Sequence, residues 1–213
     1  QVSSLHSDDT AAEADPFSSA YQKAGFAIKN AERQIKIDVP EQPATVLVPA
    51  GLSTETWLDY GIPEQYLDDV IDLLTVASED SLTGDLSVEP IKWDRSRLNE
   101  AHARLRARKA HTLMVALIDD TTYQVVSLTE LGRHAGSDPE VAEWTLTVTT
   151  REHREQQLAS KVKLLALTAL RECWPDVERT YASIGAGDVA MNRIFDELGA
   201  QGISRSESWE LRL

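Results

Sequence analysis

The order of hydrophobic patterns along the chain predicts an α+β fold with a mixed sheet. Two stretches lead to it. Residues 112–150 hold three apolar, β-branched runs divided by turn-forming residues, the pattern of strands joined as hairpins. From residue 144 the pattern runs strand, helix, strand, helix, strand. Its first helix is set by Leu158, Val162, Leu165 and Ala169 at helical spacing, with Leu164, Leu167 and Leu170 widening the apolar face.

Residues 1–15 are polar, rich in Ser, Asp and Ala, and read as loosely ordered. A helix end at 17–26 precedes the alternation Gln34-Ile35-Lys36-Ile37-Asp38-Val39, a strand stopped by Pro40. Glu41-Gln42-Pro43 reads as a linker, 44–48 as a short strand, and 49–62, with Pro49, Gly51 and Gly61, as a turn-rich connection. Pro63 suits the first position of a helix continuing through Tyr66, Val70, Ile71, Leu73 and Leu74. The loop 79–90 leads to a helix over 95–108 with Leu98, His102 and Leu105 on one face. Strands follow at 112–118, 123–131 and 141–150, the first two joined by the turn 119–122. A polar loop, 153–157, opens the helix running to Arg171; then come a strand at 177–184, a helix ending near Leu198 and a strand at 209–213.

A chain of 213 residues, 42% of them hydrophobic, is long enough to bury a core. Its net charge of −14 is uneven: residues 1–90 carry 17 Asp and Glu against 4 Lys and Arg. That argues against nucleic acid as a partner, since phosphate backbones need a basic face. The basic residues Arg104, Arg106, Arg108 and Lys109 spread around their helix and read as a solvated face. No apolar run reaches the ~18–20 residues of a membrane span, so no membrane partner is expected. Cys173 stands alone, which fits a reducing cytoplasm. Residue 1 is Gln, so the chain is expected to be a piece of a longer or processed protein. The histidines lack metal-ligand spacing, giving no metal site, and hydrolase and nucleotide-loop motifs are missing.

A helix start leaves free backbone N–H groups that attract anions. Here Arg151, Arg154, Lys161 and Lys163 are expected to add positive charge around it. The sequence Arg154-Glu155-Gln156-Gln157-Leu158-Ala159 resembles the Gln/Arg-x-x-Gly-x-Gly/Ala loop by which GNAT acyltransferases hold the pyrophosphate of acetyl-CoA. Met191-Asn192-Arg193-Ile194-Phe195-Asp196-Glu197-Leu198-Gly199-Ala200 resembles the close of GNAT domains. Ala77 to Leu86 and Leu128-Thr129-Glu130-Leu131 are similar to segments of tandem GNAT proteins of the actinobacterial, mycothiol synthase-like type. The resemblance implies a GNAT-like mixed, mostly antiparallel sheet flanked by helices over residues 44–213. Tyr21-Gln22-Lys23-Ala24-Gly25-Phe26 resembles the last helix of another such domain. Residues 1–43 are therefore expected to be the remnant of a first GNAT-like domain plus linker, which makes that first domain a partner in the same protein. A helix–strand extension native to this domain is the other reading.

The resemblance also implies a chemistry, transfer of acetyl from acetyl-CoA, used as co-substrate, to an amine of a small molecule by direct attack. Such a reaction needs positioning, carbonyl polarisation and two proton movements rather than covalent help. Thr147, Val148 and Thr149 would pair with pantetheine, and Arg154, Glu155, Gln156, Gln157, Leu158, Ala159 and Ser160 would cradle the pyrophosphate. Glu130 is the candidate general base, acting through an ordered water; a solvent-facing or salt-bridged strand residue is its other reading. Glu79 and Asp80 could attract an ammonium substrate or form a plain helix-end charge cluster. The sequence departs from the family pattern at Gln157, where Gly is usual, at Ile184 and Asp188, where Asn is usual, and at Phe195, where a general-acid Tyr is usual. Phe cannot give up a proton, so the alternative function is a degenerate, non-catalytic GNAT-like domain that binds acyl-CoA or supports a catalytic partner domain.

Overall fold

The computed structural model describes residues 2–6, 16–43, 45–81 and 89–211, with side chains from residue 18 onward. In chain order these form β1 (Val2–His6), α1 (Pro16–Lys23), β2 (Phe26–Asp38), β3 (Leu52–Leu58), α2 (Leu67–Glu79), α3 (Arg95–Ala107) and β4 (His111–Asp119). β5 (Val125–Arg133), β6 (Val141–Thr149), α4 (Leu158–Cys173), β7 (Arg179–Gly185), α5 (Val189–Glu197) and β8 (Gln201–Leu211) complete the series. Short 3-10 turns lie at Glu64–Tyr66 and Arg151–His153. The chain divides into two compact units, one of residues 38–81 and 90–180, the other of 1–37, 82–89 and 181–213.

The first of these units is built on four antiparallel strands in the order β6-β5-β4-β3. β4 and β5 are buried almost end to end, which is why their sequences run apolar without polar alternation. The turn between them is fixed by Asp119, whose carboxylate accepts from the Thr121 and Thr122 amides at 2.8 Å each. One sheet face packs Trp57, Met114, Ala116, Ile118, Leu128 and Val148 against Tyr66, Val70, Leu73 and Leu74 before and within α2, and Leu98 of α3. The Val, Leu, Ile and Met side chains among them contribute roughly 1.5–3 kcal/mol each by leaving water. α4 packs on β4 and β5 through its own buried stripe, Val162, Ala166 and Leu170. α3 starts at Asp94, whose side chain accepts from the Arg97 amide at 2.8 Å. At the far end of α4, Arg171 donates to the carbonyls of Val39, Pro40, Pro175 and Val177, tying down two connections.

In the second unit β8 lies between β1 and β2, antiparallel to both, and β7 lies next to β2. Tyr21 of α1 packs on Phe26 and on the fully buried Trp209, with ring centroids 5.7 Å apart in each case. Arg33 on β2 pairs with Asp196 on α5 at 2.8 Å.

The mostly antiparallel sheet and flanking helices match the fold expected from sequence. Three local expectations need correction. Residues 45–48 form no strand, and Leu47 is 81% exposed. The strand is β3 instead, inside the stretch read as turn-rich, because Thr54, Thr56 and Trp57 favour extended backbone and pair along β4. Residues 2–6, read as loosely ordered, form β1, while 7–15 lie outside the described residues. β8 begins at Gln201, eight residues before the expected strand; residues 212 and 213 and residues 82–88 of the acidic loop also lie outside the described residues.

Candidate functional site

The turn from β6 into α4 carries the predicted cradle. After the 3-10 turn Arg151–His153, Glu155 and Gln157 both take left-handed backbone, with φ of 63° and 59°. Gln157 is the N-cap of α4 and makes no side-chain cap hydrogen bond to the helix. Gln157 thus occupies the left-handed conformation that Gly adopts without cost. Successive amides at such a turn, followed by a helix N-terminus, form a concavity suited to an anion. Leu158 is buried and anchors the start of the helix, while Ala159 and Ser160 are half-buried.

The charge around this turn differs from expectation. Arg154 pairs with Asp80, and Arg151 reaches Glu79 at 2.8 Å and Asp80 at 3.1 Å. Hydrogen bonds from Arg154, and after it Arg151, outweigh desolvation and hold the Asp80 carboxyl below its usual range. Glu79 and Asp80, at the end of α2, thus hold the loop arginines. Lys163 was expected to add charge at the loop and does not. It is 1% exposed, and its ammonium lies 4.2 Å from the centre of the Trp144 ring. Residues two apart on a helix point about 200° away from each other, so Lys161 and Lys163 cannot serve the same face. Burial pushes the Lys163 amine well below its ordinary range. His153 hydrogen-bonds the Thr150 hydroxyl at 2.8 Å.

Glu130 stands in the middle of β5, opposite Met114 on β4, and so shares the sheet face that packs against α2. It is 7% exposed, and none of the ion pairs among the described residues includes it. Its carboxylate accepts from the Thr145 hydroxyl at 2.5 Å, and the Tyr60 side chain lies near enough to act on it. Burial raises its pKa, and the two hydroxyls oppose that shift. The tyrosine is shifted the same way, upward, by burial and by the charge of Glu130. A buried carboxylate that has lost its water but keeps a hydroxyl donor is suited to accept a proton.

Thr147 and Thr149 alternate with Val148. Val148 joins the α2-side core, while the two hydroxyls on the opposite face bond to Thr129 at 2.8 Å and Ser127 at 2.9 Å on β5. The register of β5 and β6 slips between Glu130 and Leu131, so that Thr145 and Leu146 together oppose Glu130. Sequence reasoning missed this bulge, and with it Thr145 and Tyr60. A polar residue between Trp144 and Leu146 is the one signal it left, and Asp59-Tyr60-Gly61 gave only a turn. Phe195 is 2% exposed in α5. An open cleft of about 610 Å³ runs along the same helix, lined by Ala186, Val189, Asn192, Arg193, Asp196 and Glu197. None of these was a candidate, and among these lining residues there is no hydroxyl or imidazole suited to proton transfer.

No protein-family model and no curated protein matches this chain. Solved structures do. A tandem GNAT protein from the clavulanic acid biosynthesis pathway, solved without AcCoA, is 21% identical over 97% of this chain and 62% of that one, with a TM-score of 0.75. A GCN5-related N-acetyltransferase from Sphaerobacter thermophilus gives 12% identity over 97% of this chain and 58% of its own, with a TM-score of 0.62. For a GCN5-related N-acetyltransferase from Kribbella flavida the figures are 15%, 92%, 64% and 0.56. The chain spans roughly three fifths of the length of these relatives. At such identities the likeness concerns backbone architecture, and the chain accordingly has the fold of the GNAT acetyltransferases.

Proposed function

We propose that this chain is an acyl-CoA-dependent N-acyltransferase domain that moves acetyl from acetyl-CoA to an amine of a small molecule, working beside a first GNAT-like domain in a cytoplasmic protein. The observation that carries it is the turn into α4: left-handed Glu155 and Gln157 followed by a helix start with no side-chain cap from Gln157. That arrangement supplies backbone donors and a positive helix end for a pyrophosphate. Arg154 to Ser160 would hold the phosphates, and Thr147, Val148 and Thr149 would lie along pantetheine. The thioester is already activated, so the remaining work is proton traffic. Glu130 would take the proton released as the amine attacks, directly or through water, and the departing thiolate would be protonated from solvent.

A second reading is favoured by Phe195. It stands, buried, where the resemblance expects an acidic Tyr, and a phenyl ring has no proton to give. On that reading the domain binds acyl-CoA without turning it over. Titration calorimetry with acetyl-CoA separates both readings from a plain scaffold, for which no heat develops even at millimolar ligand. Arg154→Glu should weaken binding at least about tenfold, since it places a carboxylate where phosphate charge must settle; unchanged affinity would remove the cradle assignment. A thiol-release assay over an amine panel then tests turnover. Loss of a positioned general base lowers rates ~10²–10⁴-fold, so Glu130→Gln should nearly abolish it.

A further inference from the structure

Tyr60 occupies a backbone conformation that its side chain does not favour. Residues 58–61 form a tight turn closed by the Gly61 amide donating to the Leu58 carbonyl at 2.8 Å, and both central residues, Asp59 and Tyr60, have positive φ, 51° and 57°. Such turns ordinarily take Asn-Gly or Asp-Gly, because a bulky side chain is disfavoured at left-handed φ. The turn is held from outside. The Asp59 carboxylate accepts from the Thr112 amide at 3.0 Å, and the Asp59 amide donates to the Thr112 carbonyl at 2.9 Å. Gly61 cannot be replaced without a clash, since a Cβ there would sit 2.9 Å from the Leu58 carbonyl oxygen. A strained residue kept in place by its surroundings points to a use for its side chain, and the side chain of Tyr60 reaches Glu130.

Thr145 arrives at the same carboxylate by a second local irregularity. In a regular pairing, Leu146 opposite Glu130 would leave Thr145 on the other sheet face. The bulge sets two residues of β6 against one of β5 and turns the Thr145 hydroxyl onto Glu130 at 2.5 Å. Thr145 is itself exposed, so the buried carboxylate has a solvent-facing neighbour. A left-handed turn and a strand bulge, on different elements, thus converge on one carboxylate.

We propose, resting on the base role given to Glu130, that Tyr60 and Thr145 are its positioning residues: two hydroxyl donors that keep the carboxylate ionised and aimed while it is surrounded by apolar side chains. Ionised Glu130 can only accept; Thr145 donates to it, and the nearby Tyr60 hydroxyl has a proton to donate. Burial disfavours the charge, and the hydroxyls oppose that shift. Few other charges compete. Arg104 of α3 acts on Tyr60, His102 lies half-buried on α3, Asp69 of α2 is committed to the Val125 amide at 3.0 Å, and Asp72 faces solvent.

The test is the titration of Glu130 followed by carboxyl ¹³C NMR in glutamate-labelled full chain, with Glu130→Gln to assign the resonance. Tyr60→Phe and Thr145→Val should each move the midpoint upward, Thr145→Ser should leave it in place, and the double variant should move it furthest. A midpoint unmoved in Tyr60→Phe and Thr145→Val would overturn the proposal. Should Tyr60→Phe fail to fold, the Thr145→Val and Thr145→Ser pair decides alone. In turnover with acetyl-CoA and an amine, a hydrogen bond to a charged group corresponds to about a tenfold factor. Each disruptive variant should therefore lose about that factor in kcat/KM at pH values below the Glu130 midpoint and recover above it; a loss equal at every pH would mark a merely structural role and overturn the assignment. If the NMR midpoints move but Glu130→Gln turns over like wild type, the base reading falls while the positioning geometry stands.

Discussion

At the scale of single residues, Lys163 is the group whose burial opposes the fold. Its amine is 1% exposed inside α4's packed face, and desolvation drives its pKa well below the ordinary lysine range. The face of Trp144, 4.2 Å away, attracts an ammonium and offsets part of that cost, by up to about 2 kcal/mol when water is excluded. The Trp144 indole is itself fixed by donating to the Thr180 hydroxyl at 2.9 Å. A lysine with a lowered folded pKa binds fewer protons in the native state than in the unfolded chain. Stability therefore rises with pH from the folded pKa up to the unfolded value, ~10.4. Methionine has nearly the same length and keeps contact with the ring. Lys163→Met removes the titrating amine and should flatten the rise in stability between pH 7 and 9. Urea unfolding at the two pH values measures it; a rise as steep as in wild type would show that another group carries the pH dependence.

At the scale of elements, the end of α2 and the loop before α4 are coupled by charge. Arg151 and Arg154 can meet a phosphate only by sharing with, or leaving, Glu79 and Asp80. Neutralising that competition should strengthen anion binding: Asp80→Asn is expected to lower the acetyl-CoA dissociation constant several-fold, and calorimetry reads it. Weaker binding would mean instead that Asp80 preorganises the arginines. The same elements show what was legible beforehand. The strands of residues 112–150 could be read because β-branched and apolar side chains dominate them. β1 and β3 are short and polar; they take extended form by pairing with β8 and β4, which no local pattern records. The loop before α4 could be located by resemblance, yet the pairing of its arginines could not, because the carboxylates lie more than 70 residues away. Thr145 and Tyr60 were invisible for another reason. A bulge and a left-handed tyrosine are exceptions that neighbouring strands impose, not preferences of the residues.

At the scale of the whole molecule, the acidic excess of residues 1–90, 17 Asp and Glu against 4 Lys and Arg, is partly met by cations from later in the chain. Arg95 bonds Glu64 at 2.5 Å and Asp68 at 2.9 Å, and the loop arginines take Glu79 and Asp80. These pairs are largely exposed, where each contributes little and weakens with salt. The remaining charge, part of a net −14, acts at longer range by repelling itself in the compact state. The two effects respond oppositely to ionic strength. Raising salt from about 10 mM to about 150 mM shortens the screening length from about 30 Å to about 8 Å, which removes most of the long-range repulsion while ion-paired groups, within about 4 Å of each other, keep much of their attraction. Repulsion should therefore lose more than the pairs do, and the melting temperature at pH 8 should rise by a few degrees over that range. Calorimetric melts at both salt concentrations decide it. A fall would mean that the Arg95 and loop-arginine pairs contribute more than the excess charge costs, and the Arg95→Ala variant should then lose part of the salt dependence.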